Sequence, residues 1–395
     1  MITGLDNMIA SLCAFNVRDD KLLRAFSALS GESVSDAFSA YADICGILLR
    51  SGKSLSQYLH DMLIYSDSPL VAGCKDDPYM LRRKAVEYDV SVIKKLSGYS
   101  SDSVKDRLAL CYDNEDFRLL PDYETGEFSY DADHFIDFAL KYGSGIYAQY
   151  KAFSFADGEL HPIESTDPIR LGDLKKYEVQ RGQVVENTVC FLDHMPAQNV
   201  LLYGDRGTGK SSTIKALLNE FDGLRMVEVS KNDISGLPVL FRLLKNNPLR
   251  FIVTIDDLTF SESDDRFGIL KAALEGSLTV RPENVLIYAT TNRRKIIKEN
   301  TAEHLGDDVG RTDAVDESMS LADRFGLYIT FTSPDKEVYL DIVKQLSMDM
   351  GIELSDDKLF LVAERFALRR GGRSPRTARQ CVEWLYARIK LGMDI

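Results

Sequence analysis

The chain has 395 residues, of which 45% are hydrophobic and 28% charged, the balance of an ordinary globular protein with room for two or three domains. Its 48 Lys and Arg stand against 61 Asp and Glu, a formal charge of −13, which opposes long-range attraction to nucleic acid or to an anionic membrane for the chain as a whole. Collagen-like, disordered, disulfide-framework and multi-spanning membrane classes are excluded by the same numbers.

The opening stretch, Met1 to Phe15, carries Asp6 and no basic flank, so it does not read as a signal peptide. No apolar run approaches the ~18 residues needed to span a bilayer. Cys13, Cys45, Cys74, Cys111, Cys190 and Cys381 are scattered without a CxxC pair, and the five histidines add no zinc spacing. These features predict reduced thiols and a cytoplasmic location.

Residues 1–112 read as helical. Leu22, Leu23, Phe26 and Leu29 recur at helical spacing, as do Phe38, Tyr41, Ala42, Cys45 and Leu48, and then Leu81, Ala85, Tyr88, Val92 and Ile93. Residues 1–150 hold 15 basic and 23 acidic groups, net −8. Nine of those acids fall between Asp113 and Asp137 with only Arg118 among them, alongside Pro121 and Gly126. The stretch 113–137 reads as an acidic linker with strand fragments, either a solvated face or a dock for a basic partner. A further helix is expected from Asp131 to Phe153, interrupted at Gly143 and Gly145. Residues 1–160 are thus assigned to a mainly helical domain that recognises a protein client.

The pattern changes near residue 165. Short aliphatic and β-branched runs at Asn199–Tyr203, Leu224–Val229, Arg250–Ile255, Asn284–Thr290 and Leu327–Phe331 alternate with helical segments, which predicts an α/β fold with a parallel sheet over 161–333. After Pro334 three helices are expected, at 335–349, 356–368 and 374–390, forming a lid over 334–395.

The run Asn199 to Ser212 contains Gly204, Asp205, Arg206, Gly207, Thr208, Gly209, Lys210 and Ser211 in the pattern GxxxxGK[ST], with a strand pattern before and a helix pattern after. Glycines allow backbone N–H groups to turn inward around phosphate oxygens. The new helix adds its dipole and free N–H groups. Lys210 is placed to reach the β- and γ-phosphates, Ser211 to ligate Mg²⁺, and Ser212 completes the loop. Such a loop establishes nucleotide binding and leaves the reaction open.

Further on, Phe251 to Ile255 ends in Asp256 and Asp257. A carboxylate at the end of a buried strand can hold the Mg²⁺ shell, here Asp256, while Asp257 can orient or deprotonate a water. The strand Val285–Thr290 runs into Asn292, whose amide can bond both γ-phosphate and water. Each of these residues could otherwise be a simple strand-end turn.

The order of phosphate loop, strand-Asp-acid, Leu270-Lys-Ala-Ala-Leu-Glu-Gly276 and Ala289-Thr-Thr-Asn292 resembles the AAA+ ATPase superfamily. Within it, Asn199–Ser212, Phe251–Leu258, Tyr288–Arg294, Ser320–Phe331 and Ser374–Gln380 make residues 78–385 similar to a bacterial AAA+ group known only as a domain of unknown function. The resemblance implies an αβα P-loop core with a C-terminal helical lid, and ATP and Mg²⁺ as ligands. Leu321-Ala-Asp-Arg324-Phe-Gly326 resembles the segment that presents an arginine finger to a neighbouring subunit. Gly372-Arg-Ser-Pro-Arg376-Thr-Ala resembles sensor 2, which implies that Arg376 contacts the γ-phosphate. A homo-oligomeric ring, a hexamer in many relatives, is implied as well.

Two departures stand out. AAA+ proteins usually carry Glu where this chain has Asp257, one methylene shorter. The segment Ser230 to Leu237 also lacks the aromatic pore residue of AAA+ unfoldases.

The basic run Arg365, Arg369, Arg370, Arg373, Arg376, Arg379, Arg388 and Lys390, and a second cluster at Arg293, Arg294, Lys295 and Lys298, keep nucleic acid open as a partner, though the net charge disfavours it. The expected activity is Mg²⁺-dependent ATP hydrolysis coupled to remodelling or regulating a macromolecular client. The rivals are a nucleic-acid-dependent ATPase of the loader or branch-migration type, a slow nucleotide-gated switch, and a small-molecule P-loop kinase.

Overall fold

The computed structural model describes residues 4–31, 33–68, 80–261, 265–275, 281–292, 297–298 and 324–394. The chain divides into two compact units, Met1–Tyr150 with Asn247–Leu249, and Lys151–Asn246 with Arg250–Ile395.

The first unit is helical: α1 (Leu5–Ala10), α2 (Lys21–Ala28), α3 (Val34–Ser51), α4 (Leu55–Ile64), α5 (Leu81–Ser97), α6 (Ser101–Tyr112), α7 (Ala132–Tyr142) and α8 (Ile146–Gln149). Local chemistry sets several boundaries. Asp20, Ser33, Ser100 and Asp131 accept backbone N–H groups at the starts of α2, α3, α6 and α7, and Ser54 forms a capping box with Gln57 on α4. Gly52, at φ 65°, ends α3. Leu22, Leu23, Phe26, Tyr41, Ile44, Leu48, Leu59 and Ile93 meet in one apolar core.

Two expectations for this unit are corrected. In α5, Val92 and Ile93 are buried as expected but Leu81 and Tyr88 are exposed, and Val86, Asp89, Val90 and Leu96 complete the buried face. The face is rotated because Asp89 is a core residue: its carboxylate accepts the backbone N–H groups of Cys13 (3.0 Å), Ala14 (2.7 Å) and Phe15 (3.0 Å).

Secondly, the stretch 113–137 is neither a linker nor partly strand. It holds a 3₁₀ turn, Glu115–Leu119, then irregular chain, then the start of α7. Phe117, Tyr123 and Phe128 are buried in the core, while all nine acids are exposed. Its backbone is held by Leu55 N donating to Glu124 O (2.7 Å) and Ser56 N to Thr125 O (2.9 Å). Ser101 Oγ donates to Asp122 (2.6 Å), and Lys105 pairs with the same carboxylate.

The second unit is built on a seven-stranded sheet. The strands are β1 (Ala152–Ala156), β2 (Glu159–Pro162), β3 (Val200–Gly204), β4 (Leu224–Val229), β5 (Arg250–Ile255), β7 (Val285–Thr291) and β9 (Leu327–Phe331), in the order β2-β1-β4-β5-β7-β3-β9. All neighbours are parallel except the β1–β2 hairpin. The short strands β6 (Phe260–Ser261) and β8 (Ile297–Lys298) pair separately.

Helices α9 (Glu178–Leu192), α10 (Lys210–Glu220), α11 (Leu237–Leu244) and α12 (Asp265–Glu275) connect the strands. The central strand β7 is buried at every position, as a parallel strand covered on both faces must be. The helix expected from Asp131 to Phe153 breaks at Gly143 and Gly145 as expected, φ 83° and 58°, but it resumes only as α8 and ends at Gln149; Phe153 and Phe155 instead bury as β1 beside β4. This five-residue strand follows α8 too closely for its own period to stand out.

Helices α13 (Lys336–Asp349), α14 (Asp356–Arg369) and α15 (Pro375–Lys390) complete the unit around a separate apolar cluster of Tyr339, Ile342, Val343, Leu359, Ala363, Cys381 and Leu385. The chain therefore has an α/β P-loop fold, a mostly parallel sheet flanked by helices, with C-terminal helices after it and helices before it.

Candidate active site

The loop from Gly204 to Gly209 joins β3 to α10 at the carboxyl end of the sheet. Gly204, at φ 137°, lies so close to β9 that a Cβ there would meet Phe331 O at 1.9 Å. Asp205 N donates to that same oxygen (3.0 Å), and the Asp205 carboxylate accepts Ser333 N (2.8 Å). This last bond holds the Asp205 carboxyl below its ordinary pKa. Thr208 is buried and donates to Asp205 O (2.9 Å). Gly204, Asp205 and Thr208 thus shape the loop.

Arg206, Gly207, Gly209, Lys210, Ser211 and Ser212 line a cleft with Asp256, Asp257, Thr290 and Asn292 from the strand ends and Arg376 and Arg379 from α15. Lys210 is 5% exposed. Its ammonium donates to Gly204 O (2.9 Å), Asp205 O (2.8 Å) and Asn292 Oδ1 (2.9 Å), which uses all three protons. Burial lowers its pKa, opposed by Asp205, Asp256 and Asp257. Asn292 turns its other end to Asp257, Nδ2 donating to Oδ1 at 2.7 Å. One amide therefore links the loop lysine to the second strand-end carboxylate.

Ser211 Oγ donates to Asp256 Oδ1 (2.6 Å), and Thr290 Oγ1 donates to the same oxygen. A hydroxyl and a carboxylate are the hard oxygen donors that Mg²⁺ takes when phosphates and water complete its shell, so Ser211 and Asp256 fit that ion. Asp257 has φ 51°, in the left-handed region. Its N–H donates to Thr290 Oγ1 (3.1 Å), and Leu258 N donates to Thr290 O (2.7 Å).

The C-terminal helices reach the loop directly. Arg376 N donates to Gly207 O (3.1 Å). Gly207, at φ 79°, leaves room that a Cβ would fill against Ser374 Oγ at 2.9 Å and Arg376 Cβ at 3.2 Å. Ser374 caps α15 by accepting Thr377 N (3.1 Å). Arg376 follows it as an exposed side chain lining the cleft. Arg373 points elsewhere, in a two-pronged pair with Glu364 (2.9 and 2.7 Å) that lowers the Glu364 pKa.

Arg324 is not among the residues lining this cleft. It sits in the turn before β9. Because β9 runs parallel to β3 with Leu327 beside Val200, that turn is at the opposite end of the sheet from the loop, about 16 Å away along five residues.

Sequence reasoning missed part of the cleft. Ile169, Asp173, Leu174 and Lys175 before α9, with Ile342 and Leu346 of α13, complete its lining. Lys175 pairs with Asp349 at 2.7 Å and Lys176 with Asp341, joining the two segments. These positions carry no motif, and only the fold brings them together. Arg379 was legible, because it lies one helical turn after Arg376 and shares its face. Residues 303–317, Leu321–Asp323, Arg293, Arg294 and Lys295 lie outside the described residues, as does the side chain of Lys298. Among the described residues no helix is long and apolar enough to cross a membrane.

A protein family described as "Protein of unknown function (DUF815)" matches residues 148–389. The magnesium-chelatase 38 kDa subunit of Rhodobacter capsulatus is 26% identical over 183 residues, covering 37% of this chain and 52% of the subunit. The chain thus spans about half the length of that relative. Among solved structures, the Thermotoga maritima RuvB Holliday junction branch migration motor aligns with TM-score 0.38 and 16% identity over 57% of this chain and 67% of its own. The FIGL-1 AAA domain in complex with ADP aligns with TM-score 0.38 and 20% identity over 57% and 75%.

Proposed function

The chain belongs to the DUF815 family, and from that premise we propose that its AAA+ core binds and hydrolyses ATP with Mg²⁺ and couples the cycle to remodelling or regulating a macromolecular client. The observation that carries this reading is the convergence, at the ends of three adjacent parallel strands, of Lys210, Asn292 and Asp257 in one hydrogen-bonded chain beside the Ser211–Asp256 pair.

In this reading Lys210 gives up its bond to Asn292 when it turns a proton to the β- and γ-phosphates. Asn292 Oδ1 is then released, and its amide can hold the attacking water against Asp257. Water adds to the γ-phosphorus and its proton passes to the Asp257 carboxylate. The bond from phosphorus to the β-phosphate oxygen breaks, and its electron pair leaves with ADP. Mg²⁺, when bound, neutralises charge building on the phosphate oxygens. Ser211 and Asp256 would hold it.

Arg376 places a guanidinium beside the γ-phosphate from the same chain. Its backbone is bonded to Gly207, so loss of that phosphate alters the contact between α15 and the loop. Arg324, at the opposite sheet end, cannot serve its own cleft and is assigned to a neighbour's site in a homo-oligomeric ring. The helical first unit is assigned to client recognition. Asp257, one methylene shorter than the usual Glu, favours slow turnover.

ATP binding and phosphate release by the full chain test this directly. Lys210→Ala should abolish both, and unchanged affinity in that variant sinks the nucleotide site. For the neighbour's arginine, mixing Arg324→Ala with Lys210→Ala chains should restore part of the activity. A folded mixed oligomer with no recovery removes the assignment.

A further inference from the structure

Asp257 presents two linked oddities: a side chain shorter than its expected role calls for, and a left-handed backbone at φ 51°. Left-handed conformation is costly for most L-residues and mildest for Asn and Asp. A longer, more flexible carboxylate does not need it to face the cleft. A short one on a fixed strand end does, because turning the backbone is the remaining way to re-aim it.

Thr290 is what holds that turn. It is 4% exposed, on the neighbouring strand β7. Its hydroxyl accepts the Asp257 N–H at 3.1 Å and donates its proton to Asp256 Oδ1. Its carbonyl accepts Leu258 N at 2.7 Å, so the chain is pinned on both sides of the left-handed peptide. The hydroxyl thus spends both its donor and an acceptor position on the acidic pair. A β-branched side chain on a strand has little χ1 freedom, which keeps the oxygen in place. Asn292, two residues on and just past the end of β7, then fixes the carboxylate itself at 2.7 Å.

We propose that Thr290 is a positioning residue that holds Asp257 left-handed and thereby offsets its missing methylene, so that the short carboxylate can act as the base. This rests on the hydrolytic reading above. It makes a claim about epistasis that a purely structural threonine does not: the need for the Thr290 hydroxyl should depend on the length of the acid at 257.

The test is steady-state ATPase and ATP affinity for the full chain, Thr290→Val, Thr290→Ser, Asp257→Glu and the double variant Asp257→Glu with Thr290→Val, beside Lys210→Ala as a blank. Thr290→Val should lower kcat at least tenfold with ATP affinity changed less than threefold. Thr290→Ser, which keeps the hydroxyl, should recover to within about threefold of the parent. In the Asp257→Glu background, the same Thr290→Val change should cost less than half as many-fold.

A kcat within twofold of the parent for Thr290→Val overturns the proposal, as does an equal loss in both backgrounds. Thr290→Ser as slow as Thr290→Val in folded protein overturns it too. If the parent neither binds nor hydrolyses ATP above the Lys210→Ala blank, the hydrolytic reading fails first and this proposal falls with it. An active parent with an indifferent Thr290 fails the proposal alone.

Discussion

The two units handle charge in opposite ways. In the first, all nine acids of 113–137 are exposed, and Asp89, the one buried carboxylate among the described residues, is held by three backbone N–H groups. In the second, Lys210 is buried beside Asp205, Asp256 and Asp257, held at strand ends that open into a cleft. Charge on the first unit is thus spread over exposed positions apart from local pinning, whereas in the second it is gathered around a cleft. A net charge of −13 averages two unlike distributions.

That contrast is sharpest at Asp257. Asp257→Asn keeps the shape and the left-handed preference while removing the base. Phosphate release should fall roughly 10²–10⁴-fold, the range for losing a general base, with ATP affinity retained. Measured turnover within a few-fold of the parent would leave the cleft acids as mere structural caps, no different in kind from Asp89.

Asp89 is the converse case. Asp89→Ala leaves the N–H groups of Cys13, Ala14 and Phe15 without their acceptor inside the core, at a cost of about 3 kcal/mol. Hydrogen exchange across residues 13–15 and α5 should accelerate in the full chain, with ATP affinity unchanged at a temperature where the chain is folded. An equal loss of ATP affinity would break the division of labour between the units.

Legibility followed the same division. The placement of Gly204–Gly209, Asp256, Asp257 and Asn292 at the ends of strands was readable because backbone requirements there confine residue types at fixed spacing. β4, β5 and β9 begin and end where their apolar runs do. In the first unit, pattern reading failed where polarity and burial part company. Asp89 sits on the buried face of α5, and Leu81 and Tyr88 do not. The acids of 113–137 alternate with Phe117, Tyr123 and Phe128, and composition alone hides the aromatic anchors. The sensor 2 resemblance brings Arg376 toward the loop, but the backbone bond from Arg376 N to Gly207 O joins segments far apart in sequence, and no local signal announces that contact.

That docking gives a smaller prediction. Gly207→Ala places a Cβ against Ser374 and Arg376 at a positive φ that alanine resists, about 1–2 kcal/mol. That strain lowers the stability of the fold, and ATP affinity should also fall, by up to about tenfold, because the displaced Ser374–Arg376 segment moves Arg376 in the cleft. Fluorescent-nucleotide titration measures it. An unchanged affinity would separate α15 from the binding step.

The smallest effect expected lies in the first unit, where His60 Nε2 and His134 Nε2 face each other at 3.0 Å. One ring must donate and the other accept, so two protonated rings cannot keep the bond. Burial lowers the His134 pKa, and His60 lowers it further against the opposing pull of Asp131 and Asp137. Asp61 faces the other nitrogen of His60 at 2.9 Å and also pairs with Lys53 at 2.7 Å. Because the folded value for His134 lies below its unfolded value of 6.5, the unfolded chain binds the proton more readily. The contribution of this pair is complete above about pH 6.5 and is lost as pH falls through the lowered folded value. Hydrogen-exchange protection in α4 and α7, taken relative to the intrinsic amide rate at each pH, should therefore fall slightly between pH 7.5 and 5.5, and His134→Gln should flatten that difference. Protection that rises on acidification would reverse the sign and place the governing titration elsewhere, among the exposed acids whose mutual repulsion is then relieved.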